Sequence, residues 1–250
     1  MRLWAVLVAA LVAGVIGCGD DDDPRAPRLT VSAAASLKGA FEDYGERFEA
    51  ATARFSFAGS GELAAQIRQG VKPDVYAAAN VRLPEQLFRE RLVHEPVRFA
   101  GNRLVIAVPA DGDVSSIEDL AAGGIDLAVG APSVPVGSYT REVLGRLSSA
   151  RRRAILGNVR SEEPDVSGIV GKLVQGAADA GFVYATDVGA AGSKLRAIEL
   201  PARLRPVVEY GAAVVEGAKQ PDAARAFIDG LLRGDGRRAL ERAGFEAPPG

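Results

Sequence analysis

The amino-acid sequence predicts an α/β protein built as two lobes, and three observations carry that prediction. Short β-type runs alternate with segments whose apolar residues recur at helical spacing, the pattern of sheets with helices packed on them. Two strand segments, 102–108 and 207–215, are unusually long and uninterrupted by a turn signal, near one third and four fifths of the chain. A chain that crosses from one lobe to another and later returns needs two such passages. Finally, 250 residues at 48% hydrophobic and 25% charged have the composition of a globular protein. That length is enough for two cores of about 100 residues each.

The chain opens with Met1-Arg2 and a 15-residue apolar run from Leu3 to Gly17. The run is short for a membrane span and suits the core of a signal peptide. It ends in Val15-Ile16-Gly17-Cys18, which resembles the lipobox of bacterial lipoproteins. The resemblance implies removal of residues 1–17 and lipid attachment at the Cys18 thiol. A short buried helix with a free Cys is the alternative, and the next segment weighs against it. Asp20 to Asp23 repel one another, and Pro24 and Pro27 prevent a regular element, so residues 18–27 read as a solvated acidic tether. No second apolar run is long enough to span a bilayer. The chain is expected outside the cell, lipid-anchored to the cytoplasmic membrane without crossing it.

The body begins with a strand over 29–35. From Leu37 the apolar positions 37, 40, 41, 44, 48 and 51 have helical spacing. A strand over 55–58, a helix over 62–69 closed by Gly70, a strand over 74–79 and a helix over 83–91 follow. Residues 104–108 are uninterruptedly apolar, as expected of a strand in a parallel sheet covered on both faces. Beyond it the pattern gives helix 116–122, strand 126–129, helices 138–147 and 166–175, and strand 181–185. Strand 207–215 and a helix over 221–232 close the series. One lobe is assigned to 28–101 with 209–250 and the other to 102–208, each a mainly parallel sheet flanked by helices.

The charge balance excludes several functions. The whole chain has 30 Lys+Arg against 32 Asp+Glu, but from Arg28 onward 28 basic residues face 28 acidic ones. A neutral body argues against nucleic acid, which is captured by basic surfaces, and against a polybasic membrane face. One Cys permits no internal disulfide, and with one His it makes a Cys/His metal cage implausible. No cofactor is expected. Catalysis needs a nucleophile with a base, an acid–base pair or a metal. His94 sits in a polar loop segment, and Gly59-Ser60-Gly61 lacks the pattern of a nucleophile elbow. A binder and not an enzyme is expected, as a monomer.

The positive signal lies where strands hand over to helices. Ala33-Ala34-Ala35-Ser36, Ala58-Gly59-Ser60-Gly61, Val134-Pro135-Val136-Gly137-Ser138 and Asp165-Val166-Ser167-Gly168 each open a helix amid small residues. The first turn of a helix carries unpaired N–H groups and a partial positive charge, which together hold anions. In open α/β sheets ligands bind beyond the carboxyl ends of the strands, where these turns lie. Gly137 reads as letting a ligand approach the backbone. Ser36 and Ser60 as ordinary helix caps is the competing interpretation.

The segments 29–37, 57–61, 73–76, 134–139, 165–166 and 181–187, in that order, resemble the molybdate-binding subunit of ABC importers, over about 29–245. The resemblance implies a type II periplasmic-binding-protein fold holding molybdate or tungstate between its lobes. It implies Ser36 and Ser60 as donors from the first lobe, and the Val136 and Val166 backbone N–H groups with the Tyr184 phenol from the second. It also implies delivery to an ABC permease driven by its ATPase. Gly59 and Gly61 stand where the family often has more serines. Asn80 replaces a frequent Asp. A deprotonated tetrahedral dianion has only acceptors, so an all-donor site suits it, whereas phosphate keeps a proton and seeks an acceptor. The alternative is the same fold binding sulfate, phosphate or a small organic acid. A carboxylate binder would place an Arg at these turns, and only Arg141 comes near, one helical turn further in.

Overall fold

The computed structural model of the protein describes residues 27–248. The segment read as a signal peptide, Cys18 and the tether up to Ala26 lie outside the described residues. The first part of the chain forms β1 (Arg28–Ala34), α1 (Lys38–Gly45), β2 (Thr52–Ala58), α2 (Ser60–Arg68), β3 (Val75–Ala78), α3 (Arg82–Arg89) and β4 (Val97–Asn102). One residue later the second sheet begins with β5 (Leu104–Pro109), β6 (Leu127–Gly130), α4 (Pro135–Gly145), α5 (Ser149–Gly157) and β7 (Val159–Glu163). It is completed by α6 (Val166–Val174), β8 (Ala180–Tyr184), α7 (Ala185–Ala191) and β9 (Leu195–Glu199). The chain returns through β10 (Val208–Val214) and ends in α8 (Pro221–Leu232) and α9 (Asp235–Arg242).

Two five-stranded sheets result, ordered β2-β1-β3-β10-β4 and β7-β6-β8-β5-β9. In each, four strands point one way and one is inverted: β10 in the first, β5 in the second. The inverted strands are the two long strand segments that the sequence marks as passages between lobes. The expectation for 104–108 needs correcting. It is buried along its length but pairs antiparallel with both β8 and β9. An unbroken apolar run reports burial on both faces, and strand direction leaves no trace in it.

Small side chains fill the ends of the strands. In β1 the alternation of exposed and buried residues at Arg28 to Val31 gives way to four successive buried positions ending in Ala33-Ala34. The first core is aromatic: Phe41 packs on Phe55, Phe99 and Phe227 with ring centroids 5.5–6.1 Å apart. Tyr44 stacks on Phe227 at 4.6 Å and donates its hydroxyl to the Phe227 carbonyl. These contacts, with Phe227 against Phe55, bring α8 from the end of the chain back onto α1 and β2.

Candidate functional site

Six chain segments from two sheets meet at one small cavity. Its wall is made by Ala34, Ala35 and Ser36 after β1, Ala58 to Ser60 after β2, and Ala79 after β3. From the other lobe come Val134 to Val136 at the start of α4, Asp165 and Val166 at the start of α6, and Tyr184 at the end of β8. All five residues expected at the site therefore line one space. The cavity holds about 20 Å³. A water molecule needs roughly 10–15 Å³ on this measure, so the space suits a compact solute.

The serines are not helix caps. Neither the 3₁₀ turn Ala35–Leu37, nor α1, nor α2 has a side-chain cap at its start. Ser60 is the first residue of α2, and its Oγ accepts from the Ala79 backbone N–H at 3.1 Å while the Tyr76 hydroxyl holds its carbonyl at 2.8 Å. Ser60 Oγ accepts that bond with one of its two lone pairs and keeps its own O–H as a donor. Val136 occupies the second position of α4 after Pro135, and Val166 the first of α6, where N–H groups have no partner inside the helix. The α6 start is capped by Asp165, whose Oδ1 accepts from Gly168 N at 3.0 Å.

Tyr184 is the most telling member. Its hydroxyl is the one buried side-chain polar atom without a hydrogen-bond partner among the described residues. Burial pushes its phenol well above the ordinary tyrosine value, so it stays protonated and serves as a donor. A buried unpaired hydroxyl costs about 1–3 kcal/mol, and an acceptor in the cavity removes that cost. No Lys or Arg lines the wall. Arg141 is committed elsewhere, to the Gly130 and Gly137 carbonyls and to Glu162.

Two expectations change. Gly137 does not face the ligand space. A Cβ there would lie 2.0 Å from the Ala131 carbonyl oxygen and 2.3 Å from that of Gly130, so glycine serves the packing of α4 onto β6. Asp165, which sequence reasoning did not place in the wall, is there. The Asp165-Val166 step at a strand-to-helix turn was the available signal, since Asp is a preferred cap. Asn80 accepts from Leu83 N at 2.9 Å, a role an Asp fills equally well. His94 is half exposed and lies 3.5 Å from Glu216, consistent with a surface position.

Donors from two lobes converging on a closed-over cavity define a two-lobed solute-binding protein that encloses a small ligand. The chain belongs to the family of bacterial extracellular solute-binding proteins, whose family model matches residues 29–246. It is 36% identical, over 96% of this chain and 95% of the relative, to the Molybdate-binding protein ModA of Mycobacterium tuberculosis H37Rv. It is 28% identical, over 98% of this chain and 99% of the relative, to the Putative ABC transporter substrate-binding lipoprotein YvgL of Bacillus subtilis. A solved structure, the substrate binding domain of a putative molybdenum ABC transporter from Clostridium difficile, matches 88% of this chain and 98% of its own. That match has a TM-score of 0.67 and 29% identity. No helix among the described residues is long and apolar enough to cross a membrane.

Proposed function

We propose that this protein captures molybdate, or its near-isostere tungstate, and delivers it to an ABC permease and its ATPase. The carrying observation is the unpaired, buried Tyr184 hydroxyl facing a cavity whose other expected contacts are hydroxyl and backbone donors. A tetrahedral dianion presents only acceptors and satisfies all of them. The curated relatives support the choice of oxyanion. Binding needs no fixed cation: helix-start dipoles and O–H groups supply the field, and release on opening is not opposed by a salt bridge.

Calorimetric titration of residues 27–250 with molybdate, tungstate, sulfate and phosphate tests the reading. Micromolar or tighter binding of the first two, with phosphate weaker, is expected; no heat with either, or phosphate binding more tightly, overturns it.

The same proposal includes an anchor. Cleavage before Cys18 and acylation of its thiol would hold the protein at the outer face of the cytoplasmic membrane, with residues 18–27 as a tether. The lipoprotein relative and the lipobox-like Val15-Ile16-Gly17-Cys18 support it. Mass spectrometry of the membrane fraction is expected to find diacylglyceryl on Cys18; a mature chain that keeps Met1 unmodified refutes the anchor.

A further inference from the structure

The two helices that start at the cavity from the second lobe, α4 and α6, begin in different ways. Helix α6 has an ordinary cap: Asp165 Oδ1 accepts from the N–H of Gly168, the third helical residue, at 3.0 Å. Helix α4 does not. Val134 holds its cap position, where Ser, Thr, Asp or Asn is preferred, and the side chain accepts nothing. The backbone there is nonetheless that of a cap, extended with φ −95° and ψ 152°, and the Val134 carbonyl accepts from Ser138 N at 2.9 Å. Only the polar side chain is missing.

The difference follows from which N–H each helix offers. In α6 the expected ligand contact is Val166, the first helical residue. A cap oxygen reaches the second or third N–H, so Asp165 and a ligand at Val166 do not compete. In α4 the first position is Pro135, which has no N–H, so the expected contact, Val136, is the second and lies within reach of a cap. Ser138 N is taken by the Val134 carbonyl, which leaves Val136 and Gly137 as the free donors of this first turn. Neither N–H has a partner among the described residues. A Ser, Thr, Asp or Asn at 134 would claim one of them, and valine cannot. Val136 also shares its cavity wall with the buried, unpartnered Tyr184 hydroxyl, an independent sign that this wall faces an acceptor.

We infer that Val134 is a positioning residue, an apolar cap that leaves the first turn of α4 unclaimed and so reserves the Val136 N–H for the ligand. The helix gives up the stability of a cap bond while the site is empty, and an anion that takes the vacant N–H groups restores it. A local rule broken at a binding site, with the gain appearing only in the complex, is the expected mark of a functional position. The valine also has a shape to keep: its Cγ1 would lie 3.6 Å from a Cβ on Gly59 of the first lobe. The inference rests on the oxyanion reading of the site and adds how one of its donors is kept free.

The test uses two pairs of proteins that differ by a hydroxyl at matched shape or size: wild type against Val134→Thr, and Val134→Ala against Val134→Ser. Each is melted without ligand and titrated calorimetrically with molybdate and tungstate. Within each pair the hydroxyl is expected to raise the melting temperature by a few degrees, because a cap bond forms. It is expected to weaken binding about fivefold, because the ligand must displace that bond. A residue that only supports the fold would move stability and affinity together; here they move in opposite directions. Should the threonine variant not fold, the alanine and serine pair decides. Binding left unchanged or tightened by the hydroxyl overturns the inference, and so does weaker binding without a higher melting temperature. Wild type that binds neither anion refutes the oxyanion reading and this inference with it. Wild type that binds while the hydroxyl has no effect refutes this inference alone.

Discussion

The unpaired hydroxyl of Tyr184 and the doubly used hydroxyl of Ser60 respond differently to deletion. Tyr184→Phe removes a donor from the ligand and leaves nothing stranded in the protein. It is expected to weaken molybdate binding by ~1–3 kcal/mol, about five- to 150-fold, with no loss of thermal stability. Ser60→Ala also removes a donor, but strands the Ala79 N–H that Oγ accepts from. A similar loss of affinity should therefore come with a lower melting temperature, by about 2–4 °C per kcal/mol for a chain of this size. Calorimetry and thermal melts on both variants check the pair; equal stability of the two would remove the Ser60–Ala79 bond from the account. Asp187 adds a pH dependence. Its carboxyl, which accepts from Tyr184 N at 2.9 Å, is raised from 3.8 to about 7, first by burial and further by Asp165. A raised acid binds more protons folded than unfolded, so its contribution to stability falls as pH rises from about 4 to 7 and is level above. Asp187→Asn keeps the acceptor and lacks the charge, so it should melt higher than wild type at about pH 8, with the difference closing toward pH 4. Ser36 and Ser60 were marked by the small residues around them at strand-to-helix turns, whereas Val136, Val166 and Tyr184 were named through the family resemblance. The pairing of Ser36 Oγ with the Tyr210 hydroxyl was not legible, because 174 residues of sequence separate the two and nothing local marks it.

At the scale of elements, the turns that bear ligand groups were the readable part and the outer layers were not. The helix α5 buries only Ile155, and β7 (Val-Arg-Ser-Glu-Glu) is a sheet edge with no buried position. Neither has an apolar stripe for a periodicity argument to find. The opening helix was overread for the same reason in reverse. It ends at Gly45, while Phe48 and Ala51 continue the apolar spacing because they pack on the same core from a turn. The start of α6 supports a prediction of its own. Asp165 caps the helix through Gly168 N and puts a negative charge in the cavity wall. Asp165→Asn keeps the cap and removes the charge, so it should bind molybdate more tightly by an amount of order 1 kcal/mol. Asp165→Ala removes both and should lower stability by ~1 kcal/mol. Titrations and urea melts separate the two contributions; weaker binding by the Asn variant would show that the carboxylate serves the ligand.

For the whole molecule, the glycines beside Ser60 are explained by what faces them. Gly59 belongs to the first lobe, and a Cβ on it would lie 2.3 Å from the Pro164 carbonyl oxygen of the second. One on Gly61 would lie 3.2 Å from that of Ser133. An extra serine at Gly59 would not simply add a donor; it would hold the lobes apart. The backbone contact at Gly59 thus identifies the structure as the closed form, in which donors from both lobes reach one ligand. A ligand that is fully bound only in that form shifts the open–closed equilibrium toward it. Gly59→Ala should therefore spare the fold, since the added methyl clashes only across the cleft. It should lower molybdate affinity by tenfold or more, because closure must displace Pro164 by roughly an ångström to restore ordinary contact, and an interior packed this tightly does not yield cheaply. Small-angle scattering gives the direct readout. The wild-type protein is expected to contract when molybdate is added and Gly59→Ala to contract less or not at all, with similar melting temperatures without ligand. Full contraction and unchanged affinity in the variant would mean that the lobes close along another path, and that the glycine is not what lets Ser60 meet its partners from the second lobe.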